Sequence, residues 1–125
     1  MITLDDAVKI HSILIERFGG TKGVRDKNLL DSALLRPYQT FDKKQLYRSP
    51  AQKAASIIES LITNHPFLDG NKRFGYVAMR LTLLSDELDI IASEDEKYDF
   101  VIKIAQGIFK YPDILNWINS KICEN

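Results

Sequence analysis

The sequence predicts an all-α fold, a single bundle of about six helices. Apolar residues recur every three or four positions through most of the chain, which is the period of one helix face. Capping and turn residues interrupt this pattern at short intervals. The chain has 125 residues, of which 45% are hydrophobic and 27% charged, so we expect one domain over residues 1–125.

Five of the six predicted helices begin at residues that favour helix N-termini. These starting points are Thr3 with Asp6, Asp26, Ser49 with Pro50, Ser93 with Glu96, and Tyr111-Pro112-Asp113. The remaining helix begins near Lys72, directly after the turn Asp69-Gly70-Asn71. Gly19-Gly20 ends the first helix, as glycines at helix C-termini often do. The apolar stripe of the helix that begins near Lys72 is expected to reach Leu88, and that of the last helix to include Ile122.

One segment, from Pro37 to Arg48, has no helical period. At about twelve residues it is long for a connection, and loops of this length are often functional. A small hairpin and a flap are both compatible with its sequence.

Composition excludes several classes of protein. Lys plus Arg and Asp plus Glu both number 17. The chain therefore lacks the excess of basic residues that is typical of proteins that bind nucleic acid. No apolar run approaches the ~20 residues of a membrane span, and the N-terminus does not resemble a signal peptide, so we expect a cytoplasmic protein. Cys123 is the single cysteine, which excludes an internal disulfide and makes a structural zinc site unexpected.

The stretch from His65 to Arg73 has the composition of a reactive site. Asp69-Gly70-Asn71 forms a turn into a helix, whose first N–H groups and positive dipole end favour an anion. Lys72 and Arg73 add positive charge where the dipole disfavours it, unless an anion neutralises both. The sequence therefore predicts a phosphate-binding helix start.

Two further side chains in this stretch suit phosphoryl or nucleotidyl transfer. Asp69 offers a carboxylate oxygen to Mg²⁺, and the imidazole of His65 is suited to act as a general base. The alternative interpretation is structural. In it, residues 69–71 only form a turn, His65 is hydrogen-bonded in the core, and Lys72 and Arg73 lie on a solvated face. Composition alone does not separate the two.

Two other features favour a structural interpretation. His11 lies on the apolar stripe of the first helix, so we expect a hydrogen-bonded core histidine and not a ligand. The glycine-rich segment from Gly19 to Asp26 could approach a phosphate, but turns are the favoured interpretation.

The nine residues His65-Pro66-Phe67-Leu68-Asp69-Gly70-Asn71-Lys72-Arg73 resemble the Fic-domain signature. Gly19-Gly20 to Arg25-Asp26, together with Leu29 to Pro37, resemble the N-terminal part of the death-on-curing (Doc) branch of the Fic/Doc family. This resemblance implies an all-helical transferase that uses ATP and Mg²⁺ to modify a protein hydroxyl.

The resemblance also implies roles for individual residues. His65 would be the base, and Asp69 the Mg²⁺ carboxylate. The anion would be held by a cofactor-binding loop composed of Gly70, Asn71, Lys72 and Arg73. Phe67 would anchor the loop in the core, and the segment from Pro37 to Arg48 would be the flap that holds the target.

Two departures from the AMP-transferring members resemble the Doc branch. Lys72 replaces a glycine, and Tyr76 replaces a second arginine. The Doc branch implies transfer of the terminal phosphate to a Ser or Thr hydroxyl, a translation elongation factor as the target class, and a separate small antitoxin. AMP transfer by the same residues and a non-catalytic partner-binding domain are the alternatives.

The C-terminal residues from Ser120 to Asn125 fit the inhibitory helix pattern of some Fic proteins. In those proteins the glutamate, here Glu124, pairs with the second arginine of the signature. Tyr76 stands at that position, so the ion pair cannot form and we expect the match to be coincidental.

Overall fold

Six α-helices make up most of the chain in a computed structural model, which describes residues 1–125. They are α1 (Leu4–Phe18), α2 (Lys27–Leu35), α3 (Pro50–Asn64), α4 (Asn71–Leu84), α5 (Glu94–Ala105) and α6 (Tyr111–Lys121). A 3-10 turn, Arg36–Tyr38, follows α2. The only sheets are two antiparallel pairs, β1 (Thr40–Phe41) with β2 (Lys44–Gln45) and β3 (Leu88–Ile90) with β4 (Ile122–Glu124). The predicted all-α class is confirmed.

Helices α1, α2, α3 and α5 begin where the sequence predicts, because their N-cap side chains accept hydrogen bonds from first-turn amides. Helices α4 and α6 also begin at the predicted positions, but without a side-chain cap. Capping boxes are present at the starts of α1, α3 and α5, and their N-caps are Thr3, Ser49 and Ser93. Asp26 caps α2 by accepting from the Leu29 amide at 3.0 Å. At the C-terminus of α1, Gly19 has φ 89°, a conformation that glycine adopts without steric cost.

Helix α3 lies at the centre of the bundle, and nine of its residues are buried. One side of it packs with α4, α5 and α6 around Phe100, Ile114 and Ile118. Its other side packs with α1, α2 and α4 around Leu30, Phe67 and Phe74. The loop between α3 and α4 therefore begins and ends on the two elements most firmly fixed by the core. None of the six helices is both long and apolar enough to cross a lipid bilayer.

Two helix assignments from the apolar pattern are wrong. Leu88 lies in β3 and Ile122 in β4, and the register pairs Leu88 with Glu124 and Ile90 with Ile122. Helix α4 ends at Leu84, and Glu87 turns the chain with φ 60°. An apolar residue four positions after another fits a helix and a following short strand equally well, so periodicity alone could not distinguish them.

The segment from Pro37 to Arg48 forms a hairpin, one of the two forms that its sequence allowed. Asp42 and Lys43 make its turn with φ of 51° and 63°, the sign that two-residue hairpin turns require. The hairpin is fixed at its base, where the Tyr47 hydroxyl accepts a hydrogen bond from Arg36 Nε at 2.9 Å. Phe41, near the turn, is 75% exposed.

Candidate active site

The loop between α3 and α4 carries the candidate reactive residues, and a buried side chain closes it. His65 ends α3 with left-handed backbone angles (φ 51°, ψ 58°), and Gly70 precedes α4 with φ 75°. Asn71 is buried, and its Oδ1 accepts from the Phe67 amide while its Nδ2 donates to the Phe67 carbonyl, each at 3.0 Å. These two bonds tie the start of α4 to Phe67, and the backbone N–H of Asn71 remains free for a ligand.

Residues that follow α1 hold the first half of this loop. Arg25 donates from Nε to the His65 carbonyl at 2.6 Å and from Nη2 to the Asn64 carbonyl at 2.7 Å. The amides of Arg25 and Asp26 both donate to the Pro66 carbonyl, at 2.8 and 3.0 Å. Three successive carbonyls at the end of α3 are thus bound by two residues of the α1–α2 connector (residues 19–26).

The same connector holds the carboxylate of Asp69. Its Oδ2 accepts from the Thr21 amide at 3.1 Å, and its Oδ1 accepts from the Gly70 amide at 2.9 Å. A Cβ atom on Gly20, which has φ 116°, would lie 2.8 Å from Asp69 Oδ2. The three glycines of the connector all have positive φ, and Gly20 also leaves room for Asp69.

His11, in α1, contacts the loop from inside the core. It is 2% exposed and stacks on Phe67, with ring centroids 3.7 Å apart and planes within 2°. Its Nε2 lies 2.7 Å from the carbonyl oxygen of Asp69. Because a carbonyl only accepts, Nε2 carries the proton and donates. The prediction of a hydrogen-bonded core histidine is confirmed, but the sequence did not indicate that its partner is Asp69.

The first turn of α4 presents unpaired donors. The backbone N–H groups of Asn71, Lys72 and Arg73 have no acceptor within the protein, and Gly70 offers no side chain to cap them. The ammonium of Lys72 and the guanidinium of Arg73 are exposed and form no ion pair with a carboxylate, although the guanidinium lies 4.2 Å from the ring centroid of Phe18. Such a helix start favours an anion.

These donors open into a cleft of about 440 Å³ between α4 and α5. Its walls are Asp69, Gly70, Asn71, Lys72, Arg73, Tyr76 and Val77 from the α4 side and Glu94, Lys97, Tyr98, Val101 and Ile102 from α5. The hydroxyl of Tyr76 is buried without a partner, and burial raises the pKa of Tyr76 to about 12. Tyr76 is therefore uncharged near neutral pH.

His65 is exposed and does not line this cleft, so the structure groups Asp69 with residues 70–73 but leaves His65 at the other end of the loop. Its Nδ1 lies 3.1 Å from the Thr63 carbonyl, which can only accept. With the proton on Nδ1, a neutral ring has a bare Nε2, the form that a general base requires.

The available oxygen donors fit an Mg²⁺ ion that is bound together with phosphate. They do not form a metal site from protein side chains alone. No group of three or more His, Cys, Asp or Glu side chains converges anywhere in the structure. Each oxygen of Asp69 accepts one hydrogen bond and keeps lone pairs for a cation. A site with one carboxylate, completed by water and phosphate oxygens, is typical of Mg²⁺ in nucleotide enzymes.

The C-terminal pattern does not lie on one helix. Ser120 is in the last turn of α6 and donates to the Trp117 carbonyl at 2.7 Å, whereas Glu124 is in β4 and pairs with Leu88. The two residues therefore do not have the helical spacing that the inhibitory pattern assumes.

Comparison with known proteins agrees with this architecture. The model of the Fic/DOC family matches residues 1–83, which include α1 to α3, the loop and nearly all of α4. Toxin Doc of Mycolicibacterium smegmatis (strain ATCC 700084 / mc(2)155) is 38% identical over 84 residues, and the match covers 62% of this chain and 65% of that protein. The family match extends over more than half of the chain and contains the loop from His65 to Arg73, although not the α5 wall of the cleft. This chain belongs to the Fic/DOC family.

Proposed function

We propose that this protein is a toxin of the Doc type that uses ATP and Mg²⁺ to phosphorylate a Ser or Thr hydroxyl of a target protein. The toxin role rests on similarity to a protein that carries that name and on family membership. The target class, a translation elongation factor, rests on the resemblance of residues 19–37, Lys72 and Tyr76 to the Doc branch. The chemistry rests on the contacts of the loop.

Lys72 is the observation that carries the choice of phosphoryl transfer. Its ammonium is exposed, has no carboxylate partner and stands at the first turn of α4, where a positive charge is unfavourable until an anion binds. A side chain at this position obstructs an α-phosphate that needs bare backbone and instead supplies charge to a transferred γ-phosphoryl group. Electrostatic stabilisation of that group provides most of the catalysis in phosphoryl transfer.

Tyr76 supports the same choice. AMP transfer requires a grip on the terminal phosphates, and an uncharged, buried phenol is a poor substitute for a guanidinium. The reversed nucleotide, with its γ-phosphate at the start of α4, does not need that grip.

In the proposed reaction, Nε2 of His65 accepts the proton of the target hydroxyl as its oxygen bonds to the γ-phosphorus. The bond from that phosphorus to the bridging oxygen breaks, and ADP leaves with the electron pair. The N–H groups of Asn71, Lys72 and Arg73, with the two basic side chains, neutralise the transferred group. Asp69 would hold Mg²⁺, which neutralises phosphate charge when bound.

The test is transfer of label from ATP to protein in a cell lysate. We expect label from γ-labelled ATP, and none from α-labelled ATP, to appear on a protein. Lys72→Ala should reduce the γ label by on the order of 100-fold. Lys27→Ala, which removes an exposed lysine from the first turn of α2, is the matched control and should change nothing. Transfer of α label alone would replace phosphorylation with AMP transfer, and no transfer of either label would favour a non-catalytic binding domain.

We also propose that a separate antitoxin restrains the protein. The position of Glu124 in β4 and the tyrosine at position 76 support this over self-inhibition. Expression of this chain alone should arrest growth, and co-expression of a neighbouring short reading frame should restore it. A chain truncated after Lys121 that becomes more active would instead indicate self-inhibition.

A further inference from the structure

The end of helix α3 has an unusual closure. A helix that ends on a left-handed residue commonly uses glycine there, and the amide two positions past the helix bonds back to the last turn. Here the left-handed residue is His65, and the next residue is Pro66, which has no N–H to donate. The end of α3 therefore lacks both the glycine and the returning amide that usually hold a left-handed residue there.

Arg25 supplies the closure from 40 residues earlier in the chain. Its Nε and Nη2 bind the carbonyls of His65 and Asn64 as a fork, at 2.6 and 2.7 Å. A guanidinium suits this position because its planar donors reach two carbonyls at once and its charge is favourable at a helix C-terminus. Arg25 is exposed and forms no ion pair with a carboxylate, so these two carbonyls are its partners.

We propose that Arg25 is a positioning residue, which fixes the backbone of His65 in the left-handed conformation and thereby aims its imidazole. The inference rests on the proposed role of His65 as the base. Arg25 binds the carbonyls of residues 64 and 65, whereas the anion-binding donors belong to residues 71–73. Loss of the Arg25 side chain should therefore impair transfer and leave nucleotide binding intact.

The experiment compares Arg25→Ala, Arg25→Lys and the control Lys22→Ala in the full chain. Lys22 lies in the same connector and is also exposed, but its ammonium contacts only Glu16. Three quantities are measured: the affinity for Mg·ATP by calorimetry, the rate of label transfer from ATP to lysate protein, and the carbon chemical shifts of His65 Cα and Cβ, which report a left-handed backbone. The melting temperature confirms that each variant is folded.

For Arg25→Ala we expect shifts of His65 that move towards extended backbone, an unchanged Mg·ATP affinity, and transfer slower by on the order of 10- to 100-fold. Arg25→Lys, which keeps the charge but not the fork, should recover part of the rate, and Lys22→Ala should match the wild type. Unchanged His65 shifts in Arg25→Ala would overturn the proposal, as would an equal loss of Mg·ATP affinity. If the wild type transfers no label, the proposed function fails, while the chemical shifts still decide whether Arg25 holds His65.

Discussion

Replacing Asn71 with alanine should destabilise the protein far more than a polar residue at the start of a helix usually does. Its side chain is 7% exposed and bonds both backbone groups of Phe67, a residue that is itself 1% exposed. The alanine variant would therefore bury one N–H and one carbonyl without partners.

The expected magnitude follows from those two groups. Each buried backbone group left unpaired costs about 1–3 kcal/mol, and the better helix propensity of alanine offsets about 0.5 kcal/mol of the sum. We expect a net loss of about 3 kcal/mol in the free energy of unfolding. For a chain of 125 residues this corresponds to a fall of about 10 °C in Tm.

Urea unfolding followed by circular dichroism measures this loss. Asn116→Ala is the matched control, because Asn116 is an exposed asparagine in α6 whose side chain makes no hydrogen bond, and it should change stability by less than about 0.5 kcal/mol. If Asn71→Ala behaved like this control, the side chain would not be what closes the loop. Its role would then have to be sought in contact with a ligand.

Three other outcomes are expected. His65→Ala should abolish growth arrest with an almost unchanged Tm, since the side chain is exposed, and a variant that still arrests growth would remove His65 from the mechanism. Gly20→Ala should displace Asp69 and thereby weaken Mg·ATP binding by about 10-fold or more. Gly19→Ala is the control, because its added Cβ has nothing within 4 Å, and it should leave the affinity unchanged. Equal affinities of the two variants would refute the role of Gly20. Glu96 accepts a hydrogen bond from Lys121 in α6, and this bond lowers the pKa of Glu96 from its ordinary value of 4.5 to about 2. Its contribution to stability is therefore complete above pH 4.5 and lost as pH falls towards 2, so Glu96→Gln should lower the urea midpoint at pH 6 and have no effect near pH 2.

The helices could be predicted because the interactions that define them are local. The capping boxes of Thr3 with Asp6 and of Ser93 with Glu96 each join residues three positions apart, and the apolar stripes repeat within one or two turns. The loop from His65 to Arg73 could be located for the same reason, since its unusual residues are adjacent. The burial of His11 could also be predicted, because it is a polar residue on an apolar stripe. Its hydrogen-bond partner, the carbonyl of Asp69, could not.

The supports of the loop could not be predicted, because they are distant in sequence and follow no period. Arg25 and Thr21 lie in an irregular connector, and their partners are 40 and 48 residues away. The β3–β4 pair joins residues whose apolar spacing predicts the C-terminal ends of two helices. Short ladders of three residues contain too few apolar positions for an alternating pattern to be recognised.

The contacts between the α1–α2 connector and the loop also determine the order in which the site can form during synthesis. The ribosome releases the connector, with Arg25, well before the residues it binds, and Asn71 emerges last of the group. Until then the carbonyl-binding guanidinium has no partner, and closing a segment of this length carries an entropic cost that only the finished contacts offset. A nascent chain that ends within α3 therefore exposes a basic connector and an unfinished core. The nine-residue signature therefore acquires its geometry only when α4 has been translated and has folded onto α3.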